Sequence, residues 1–276
     1  SVIGSQTASE TFSDLDVGLY EFIQISTPAG WQVTNGTGTD AFTVATSGQT
    51  TTFTQLHFKN PKVNGYKFQD TDGDGTWDAG EPALAGWTIN ISGNGGGALV
   101  TDANGFYETW VGTGSHTISE TAQDGWSQTT PTANGGTYVY SAVSGTVPGS
   151  GEAINKNFGN FQNISVAGTV YRDYNGDGIV NGLDEPMNAT VSLTGKTDIV
   201  TGSGGTFTFT SVGAGSKTLN VTLGIGYGIT DPPPPGTYVL SGTSGVNMTG
   251  KNFSLGNSAV GAVTYRSFSV DSMQVY

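Results

Sequence analysis

Two acidic loops contain the residue types and the spacing that bind a hard divalent cation. In the first loop, residues 70–81, oxygen-bearing side chains occupy positions 1, 3, 5, 9 and 12, and glycine occupies position 6. A twelve-residue loop of this pattern surrounds Ca²⁺ with oxygen ligands, and its seventh residue contributes a backbone carbonyl. The predicted ligands of the first loop are Asp70, Asp72, Asp74, Thr76, Asp78 and Glu81.

The second loop, residues 173–184, repeats the pattern with fewer charges. Three carboxylates occupy ligand positions here, against five in the first loop, and Asp184 reaches less far than Glu81. Because calcium affinity rises with ligand charge, we predict weaker binding at the second loop. The predicted ligands are Asp173, Asn175, Asp177, Ile179 (through its carbonyl), Asn181 and Asp184. We therefore expect about two Ca²⁺ per chain; Mg²⁺ is less suited, since its rigid octahedral shell takes fewer protein ligands.

The segments that flank the loops are predicted strands. No segment shows sustained apolar periodicity of 3.6 residues, whereas alternating pairs such as Phe207/Phe209 recur between Gly, Asn and Asp clusters. This pattern predicts an all-β fold of tandem sandwiches. Because helices do not flank the loops, calcium would pin an inter-strand connection rather than open a groove between helices.

The loops are part of a longer internal repeat. Residues 63–70 and 166–173 precede the two loops and resemble each other, and similar turn and strand motifs follow each loop. The repeat predicts complete sandwiches at 62–163 and 164–257. Residues 1–61 match only the second half of a repeat, which predicts an incomplete sandwich. The tail, 258–276, begins with 260–267, which resembles the opening strand 166–173.

Composition limits the partners and the location. The net charge of −13 argues against nucleic acid and anionic membranes as partners. The chain has no cysteine, no run of 18 apolar residues that would predict a membrane span, and no basic-plus-apolar leader. Calcium loops of modest affinity fill where calcium is millimolar, which predicts an extracellular or cell-surface location.

The order of motifs resembles a known family. The first acidic loop is followed by the Thr-Asp-x-x-Gly-x-Tyr segment 101–107 and then by Gly125-Trp126. This order resembles the SdrD B-repeat, which belongs with the collagen-adhesin B-type, prealbumin-like domains of bacterial surface proteins. The resemblance covers 62–163 and 164–257, and 1–61 only as a half-unit. It implies Ig-like, prealbumin-like sandwiches, structural calcium, and a stalk-like or adhesive role.

The resemblance also implies a covalent crosslink, because related surface sandwiches often contain a Lys–Asn isopeptide bond promoted by a buried acid. Lys67, Glu120 and Asn157 lie at roughly suitable places in the first unit. Val170 replaces Lys67 in the second unit, and Val221 or a neighbour replaces Glu120. The motif is therefore absent from the second unit and imperfect in the first, and the sequence favours Lys67 as an ordinary exposed lysine of a strand.

Catalysis has little support in the sequence. The two histidines, His57 and His116, fall in different units, and no Ser/His/Asp arrangement has a recognisable context. Trp31, Trp126 and Tyr227 recur at one position of the repeat. Recurrence favours a core or corner aromatic, and a sugar-binding platform is the alternative. We predict that the chain is not an enzyme.

The ends of the chain suggest a function. A half-sandwich exposes strand edges that can accept an added strand, and residues 258–276 resemble the strand that residues 1–61 lack. We therefore predict a filament, surface-layer or stalk subunit that polymerises head to tail by donor-strand exchange, because a heterologous contact that does not close gives a fibre. The alternatives are an adhesin module for host protein or polysaccharide, a non-catalytic module of a secreted hydrolase, and a fragment of a longer surface protein.

Overall fold

The computed structural model describes residues 15–23, 27, 30–33, 39–50, 57–142 and 155–257. The chain divides into two compact units, residues 1–162 and 163–276. This boundary lies one residue from the predicted boundary between 163 and 164. Residues 1–61 and 62–162 both belong to the first unit. The division after residue 61 stays a prediction. The predicted C-terminal strand, 258–276, lies outside the described residues.

The N-terminal part of the first unit forms two short antiparallel ladders, β1 with β3 and β2 with β4. The strands are β1 Gly18–Ile23, β2 Trp31–Val33, β3 Thr39–Val44 and β4 His57–Lys59. The Gln32 side chain contacts Thr113 and Asn94 of the following sandwich at 3.5 and 3.3 Å. Gly30 lies against the Trp110 indole, which a Cβ at this position would approach to 3.2 Å. These contacts join the N-terminal part to the first sandwich.

The first complete sandwich consists of two four-stranded sheets, in the orders β10–β12–β5–β8 and β11–β9–β6–β7. Its strands are β5 Lys62–Gln69, β6 Thr88–Ile91, β7 Gly97–Val100, β8 Phe106–Trp110, β9 Gly114–Glu120, β10 Trp126–Thr130, β11 Tyr138–Ala142 and β12 Phe158–Gln162. The first and last strands, β5 and β12, pair in parallel, with Lys67 opposite Phe158.

Successive side chains of β5 point to opposite faces of the sheet, so every second one lies in the space between the two sheets. Val63, Gly65 and Lys67 are buried on this face. Gly65 must lack a side chain, because a Cβ there would lie 2.2 Å from the Lys156 carbonyl oxygen. The core of the first sandwich is formed by Val63, Ile89, Ile91, Tyr107, Val111, Ile118 and Phe158.

The second unit repeats this topology with one additional short strand, β14, which pairs with β13. Its sheets contain β19–β21–β13, with β17 paired to the other edge of β13, and β16–β15–β18–β20. Its strands are β13 Ile164–Asp173, β14 Glu185–Pro186, β15 Thr190–Leu193, β16 Ile199–Val200, β17 Thr206–Val212, β18 Lys217–Thr222, β19 Tyr227–Asp231, β20 Tyr238–Leu240 and β21 Phe253–Asn257.

The register makes positions in the two units equivalent. Val170 of β13 pairs with Phe253 of the parallel strand β21, as Lys67 pairs with Phe158. The predicted fold class, all-β with tandem sandwiches and an incomplete N-terminal sandwich, is confirmed. No helix among the described residues is long and apolar enough to span a membrane.

Candidate functional site

The first acidic loop gathers three of its predicted ligands. Carboxylate oxygens of Asp70, Asp72 and Asp74 lie within 4.8 Å of one another. Asp70 is fully buried directly after β5, and its two oxygens accept hydrogen bonds from the amides of Gly73 and Gly75, each at 2.7 Å. Three carboxylates this close repel one another, and a cation relieves that repulsion. The donor set therefore fits a hard, oxygen-seeking divalent ion.

The remaining predicted ligands lie beside this cluster in the loop. Glu81 accepts from the amides of Thr71 and Asp78, at 2.5 and 3.0 Å. The carboxylate at position 12 therefore joins the start of the loop to position 9. Thr76 donates its amide to Asp74 at 2.6 Å. The loop thus has a defined internal hydrogen-bond network among the residues predicted to bind Ca²⁺.

The second loop has the same backbone pattern, and Asp173 accepts from the amides of Gly176 and Gly178 at 2.6 and 2.9 Å. Asp184 accepts from Tyr174 and Asn181, as Glu81 accepts at the equivalent positions of the first loop. The difference lies in the two asparagines. Their Nδ2 groups donate to predicted ligand oxygens: Asn175 to Asp177 Oδ2 at 2.7 Å, and Asn181 to the Ile179 carbonyl at 3.0 Å. These oxygens are already partnered in the second loop.

Hydrogen bonds also hold Asp173 in its charged form. Burial raises the pKa of this carboxyl, but donation from the Thr230 hydroxyl and from the amides of Gly178, Gly176 and Asp177 outweighs burial, so the net pKa is lowered. Asp173 therefore stays an anionic acceptor for its loop in the absence of any cation.

Lys67 is fully buried, so its interpretation as an exposed strand lysine is wrong. Its Nζ lies 3.2 Å from the Phe158 carbonyl oxygen, 3.3 Å from Glu120 Oε2 and 4.3 Å from the centre of the Trp87 ring. Alternation along β5 is the reason, because Lys67 shares the inward face with Val63. A buried ammonium is costly unless it is paired or reacts.

Asn160 is the asparagine whose side chain contacts the Lys67–Glu120 pair, and the sequence analysis did not identify it. Its Nδ2 donates to Glu120 Oε1 at 2.7 Å. Its Oδ1 is buried without a hydrogen-bond partner. Glu120 therefore lies between the amine of Lys67 on one oxygen and the amide of Asn160 on the other. We refer to Lys67, Glu120 and Asn160 as the buried triad.

The predicted partner Asn157 has a different role. Its Oδ1 accepts the Tyr66 amide at 3.0 Å, and its carbonyl accepts the Tyr138 hydroxyl at 2.7 Å. Asn252 makes the same two contacts in the second unit, with Thr169 and Tyr238. Because the second unit has no lysine at the position of Lys67, this asparagine is a structural link between strands. The asparagine beside the Lys67–Glu120 pair is therefore Asn160 and not Asn157.

Burial moves both ionisable members of the triad toward their neutral forms. Desolvation lowers the pKa of Lys67 to about 8, against the opposing effect of the Glu120 and Asp70 carboxylates. Desolvation also raises the pKa of Glu120, against the opposing effects of Lys67 and Asn160. The interior thus makes the neutral amine and the protonated acid easier to reach than they are in water.

The second unit has apolar residues at the three equivalent positions. Strand pairing places Val170 at the position of Lys67, Val221 at that of Glu120 and Leu255 at that of Asn160. All three are buried. One sandwich fold therefore holds a polar triad in one copy and an ordinary apolar core in the other.

The other residues singled out from the sequence have structural surroundings. Both ring nitrogens of His116 contact backbone carbonyls, those of Ser92 and Gly112, at 2.8 and 2.9 Å. Trp126 meets Trp87 edge to face, with ring centres 5.6 Å apart. Trp31 and Trp126 are half-buried. These contacts fit the interpretation of the recurrent aromatics as packing residues.

No protein-family model matches the chain, and a search of curated proteins found no match. The resemblance to the SdrD B-repeat therefore stays a prediction from the sequence.

Several solved structures resemble the chain. The Bacillus anthracis TIE protein is 18% identical, with a TM-score of 0.32; the match covers 88% of this chain and 42% of that protein. GBS52, the minor pilin of Streptococcus agalactiae, is 9% identical, with a TM-score of 0.31; the match covers 77% of this chain and 100% of that protein. A streptococcal ancillary pilin is 13% identical, with a TM-score of 0.33; the match covers 89% of this chain and 76% of that protein.

Proposed function

We propose that the chain is a non-catalytic structural subunit of an extracellular surface assembly, and that an isopeptide bond between Lys67 and Asn160 crosslinks its first sandwich. The observation that carries the proposal is the buried triad, in which one carboxyl group contacts both the amine and the amide. The bond would join β5 to β12, the first and last strands of the sandwich. Such a crosslink strengthens a sandwich without any catalytic turnover.

The proposed step balances without a cofactor. The neutral Nζ of Lys67 attacks Cγ of Asn160, forming the Nζ–Cγ bond, and the Cγ–Nδ2 bond breaks to release ammonia. Glu120 takes a proton from the attacking nitrogen and gives a proton to the departing Nδ2. Its Oε2 lies 3.3 Å from Lys67 Nζ and its Oε1 lies 2.7 Å from Asn160 Nδ2, so a small approach of the amine would let Glu120 move a proton between the two groups.

Intact-mass spectrometry tests the crosslink. The purified chain should be lighter than its sequence mass by one ammonia molecule, and a digest should contain one branched peptide joining Lys67 to Asn160. Asn160→Ala should have its full sequence mass. Asn157→Ala is the matched control and should still lose ammonia. A wild-type chain of full mass after complete folding would contradict the proposal.

We also propose that the two acidic loops bind Ca²⁺, most tightly at residues 70–81. The clustered carboxylates of Asp70, Asp72 and Asp74 support this proposal. Their carboxylates, with Asp78, Glu81 and the Thr76 carbonyl, would hold the ion, and the corresponding residues of 173–184 would hold a second. The ion would supply charge neutralisation and fix the connection after the first strand of each sandwich. At free calcium 100 times the dissociation constant, binding adds about 2.7 kcal/mol to stability.

For the assembly, we propose head-to-tail polymerisation in which residues 258–276 of one subunit add a strand to the N-terminal part of the next. The described residues support this in one respect. β1 pairs only with β3 among the described strands, and it exposes Val17, Leu19 and Ile23 near or within the strand. A two-stranded ladder with apolar exposed residues accepts a further strand readily.

Electron microscopy of the full chain and of a chain lacking 258–276 tests the polymer. The full chain should form filaments and the shortened chain should stay monomeric. Filaments that persist unchanged after the deletion would contradict the donor-strand proposal. Binding of the monomer to a glycan array would favour the alternative, an adhesin module.

A further inference from the structure

The second unit contains a cavity of about 360 Å³. It lies between the start of β15 and the turn that follows β18. Its lining is mixed: Met187, Ala189, Leu223, Tyr227 and Leu255 supply apolar surface, and Asn188, Thr190 and Thr222 supply polar groups. This volume is at the lower end of the range for ligand pockets in proteins.

The first sandwich fills the same space with an indole ring. The Trp87 amide donates to the Thr101 hydroxyl at 3.0 Å, and the Ala189 amide donates to the Thr201 hydroxyl at 2.9 Å, so Trp87 and Ala189 are equivalent. Trp87 is only 3% exposed and packs on Trp126, whose counterpart is Tyr227. The cavity therefore lies where the duplicated fold accommodates a tryptophan side chain.

The turn beside the cavity has two large aliphatic side chains that the first sandwich lacks. Leu223 is 45% exposed and Ile225 is completely exposed in the turn beside it. Register places Ala122 and Asp124 at these positions in the first sandwich. Exposed aliphatic side chains beside a partly apolar cavity are typical of a binding surface. Leu223 belongs to the lining and Ile225 lies two residues further along the same turn, where both can contact groups attached to an inserted ring.

We propose that this cavity binds one aromatic side chain, of tryptophan size, presented by an apolar polypeptide segment of a partner protein. The ring would take the place that Trp87 occupies in the first sandwich and would pack against Tyr227 and Leu255. Leu223 and Ile225 would contact the residues that flank the ring. A free ring would leave these two side chains in water, which is why the observations favour a peptide over a small aromatic molecule or a sugar.

Titration calorimetry on the full chain tests the proposal with defined probes. These are the tripeptide acetyl-Val-Trp-Val-amide, the same peptide with alanine at the centre, free indole, and a pyranose disaccharide. The tryptophan peptide should bind saturably with a dissociation constant of ~1 mM or tighter, and the alanine peptide should not. Indole should bind more weakly than the tryptophan peptide, and the disaccharide should not bind.

Two variants locate the site. Ala189→Trp should fill the cavity as Trp87 fills its counterpart, and the affinity for the peptide should fall by about tenfold or more. Ala189→Leu is the smaller replacement if the tryptophan variant does not fold. Ile225→Asp should weaken the peptide and leave indole unchanged, whereas Val246→Asp, a matched change of an exposed residue outside the lining, should affect neither.

Three outcomes would overturn the proposal. The first is no saturable binding of the tryptophan peptide. The second is binding that Ala189→Trp and Ala189→Leu leave unchanged. The third is binding of the disaccharide in preference to the peptide, which would assign the surface to carbohydrate. None of these outcomes depends on the crosslink, so the triad and the cavity are tested separately.

Discussion

At the scale of single residues, the first sandwich differs from the second by a buried amine, acid and amide. Lys67, Glu120 and Asn160 replace Val170, Val221 and Leu255 on the same backbone. An uncrosslinked polar triad would destabilise the fold through its desolvated groups, since a buried ion pair often stabilises a protein less than apolar residues of similar volume. Formation of the amide bond removes the lysine charge, and the raised pKa of Glu120 favours the neutral form of the remaining carboxyl group, which makes the polar core compatible with burial.

The pKa of Lys67 gives a prediction for the chain that cannot crosslink. Burial lowers the pKa of the uncrosslinked Lys67 to about 8, against 10.5 for an unperturbed lysine, and we expect Asn160→Ala to keep Lys67 in this state. The unfolded state therefore binds more protons between these values, and the stability of the first unit should rise with pH across this window. Below about pH 8 this contribution is lost. Thermal melting from neutral to alkaline pH measures it.

Lys67→Met is the control for this experiment, because it also lacks the crosslink but has no titrating group at this position. Its melting curve should lack the alkaline rise. Parallel pH profiles for Lys67→Met and Asn160→Ala would show that Lys67 keeps an ordinary pKa in the folded chain.

The sequence contained enough information to place Lys67 and Asn160 inside. Val63, Gly65 and Lys67 are spaced two residues apart, so they share one face of their strand. Phe158 and Asn160 share one face of theirs for the same reason. Asn157 is out of phase with Phe158, which is why it links strands instead. What the sequence could not supply was the parallel pairing of β5 with β12, because first and last strands are distant in the chain.

At the scale of elements, the acidic loop and the triad share one strand end. The Asp70 amide donates to the Asn160 carbonyl at 2.9 Å, directly after β5 and within β12. The loop was predictable because its ligands are adjacent in sequence. Gly65 and Gly168 illustrate the opposite case. A Cβ at Gly65 would lie 2.2 Å from the Lys156 carbonyl oxygen, and a Cβ at Gly168 would lie 2.2 Å from the Lys251 carbonyl oxygen. Only strand pairing in the folded chain brings these carbonyls close to the glycines.

The two loops should respond unequally to calcium. Asp72→Asn should reduce the calcium-dependent rise in the melting temperature of the first unit, since it removes one of three clustered carboxylates. Asp177→Ala should have a smaller effect on the second unit, whose ligand oxygens are already partnered by Asn175 and Asn181. Differential scanning calorimetry with calcium and with chelator measures both effects.

Ser127→Ala, outside either loop, is the matched control for these variants. A melting profile of the wild-type chain that chelator leaves unchanged would show that neither loop is a structural metal site.

At the scale of the molecule, two units of one fold should differ in thermal stability. A crosslink that closes a loop of about 100 residues stabilises a protein by about 4–5 kcal/mol through the unfolded state. Calorimetry should therefore resolve two transitions. Asn160→Ala should lower only the upper one, by roughly 10–20 °C, because the second unit has no triad. A single transition that the variant shifts as a whole would contradict independent units.

The parallel pairing of first and last strands has a mechanical consequence. When the chain is pulled from its ends, tension enters the first sandwich through β5 and leaves through β12. With Lys67 bonded to Asn160, the load passes through that bond, and the 92 residues between them bear none of it. In the second unit the load shears the hydrogen bonds between β13 and β21 instead. The subunit would therefore behave as an inextensible link in series with one that yields and absorbs work.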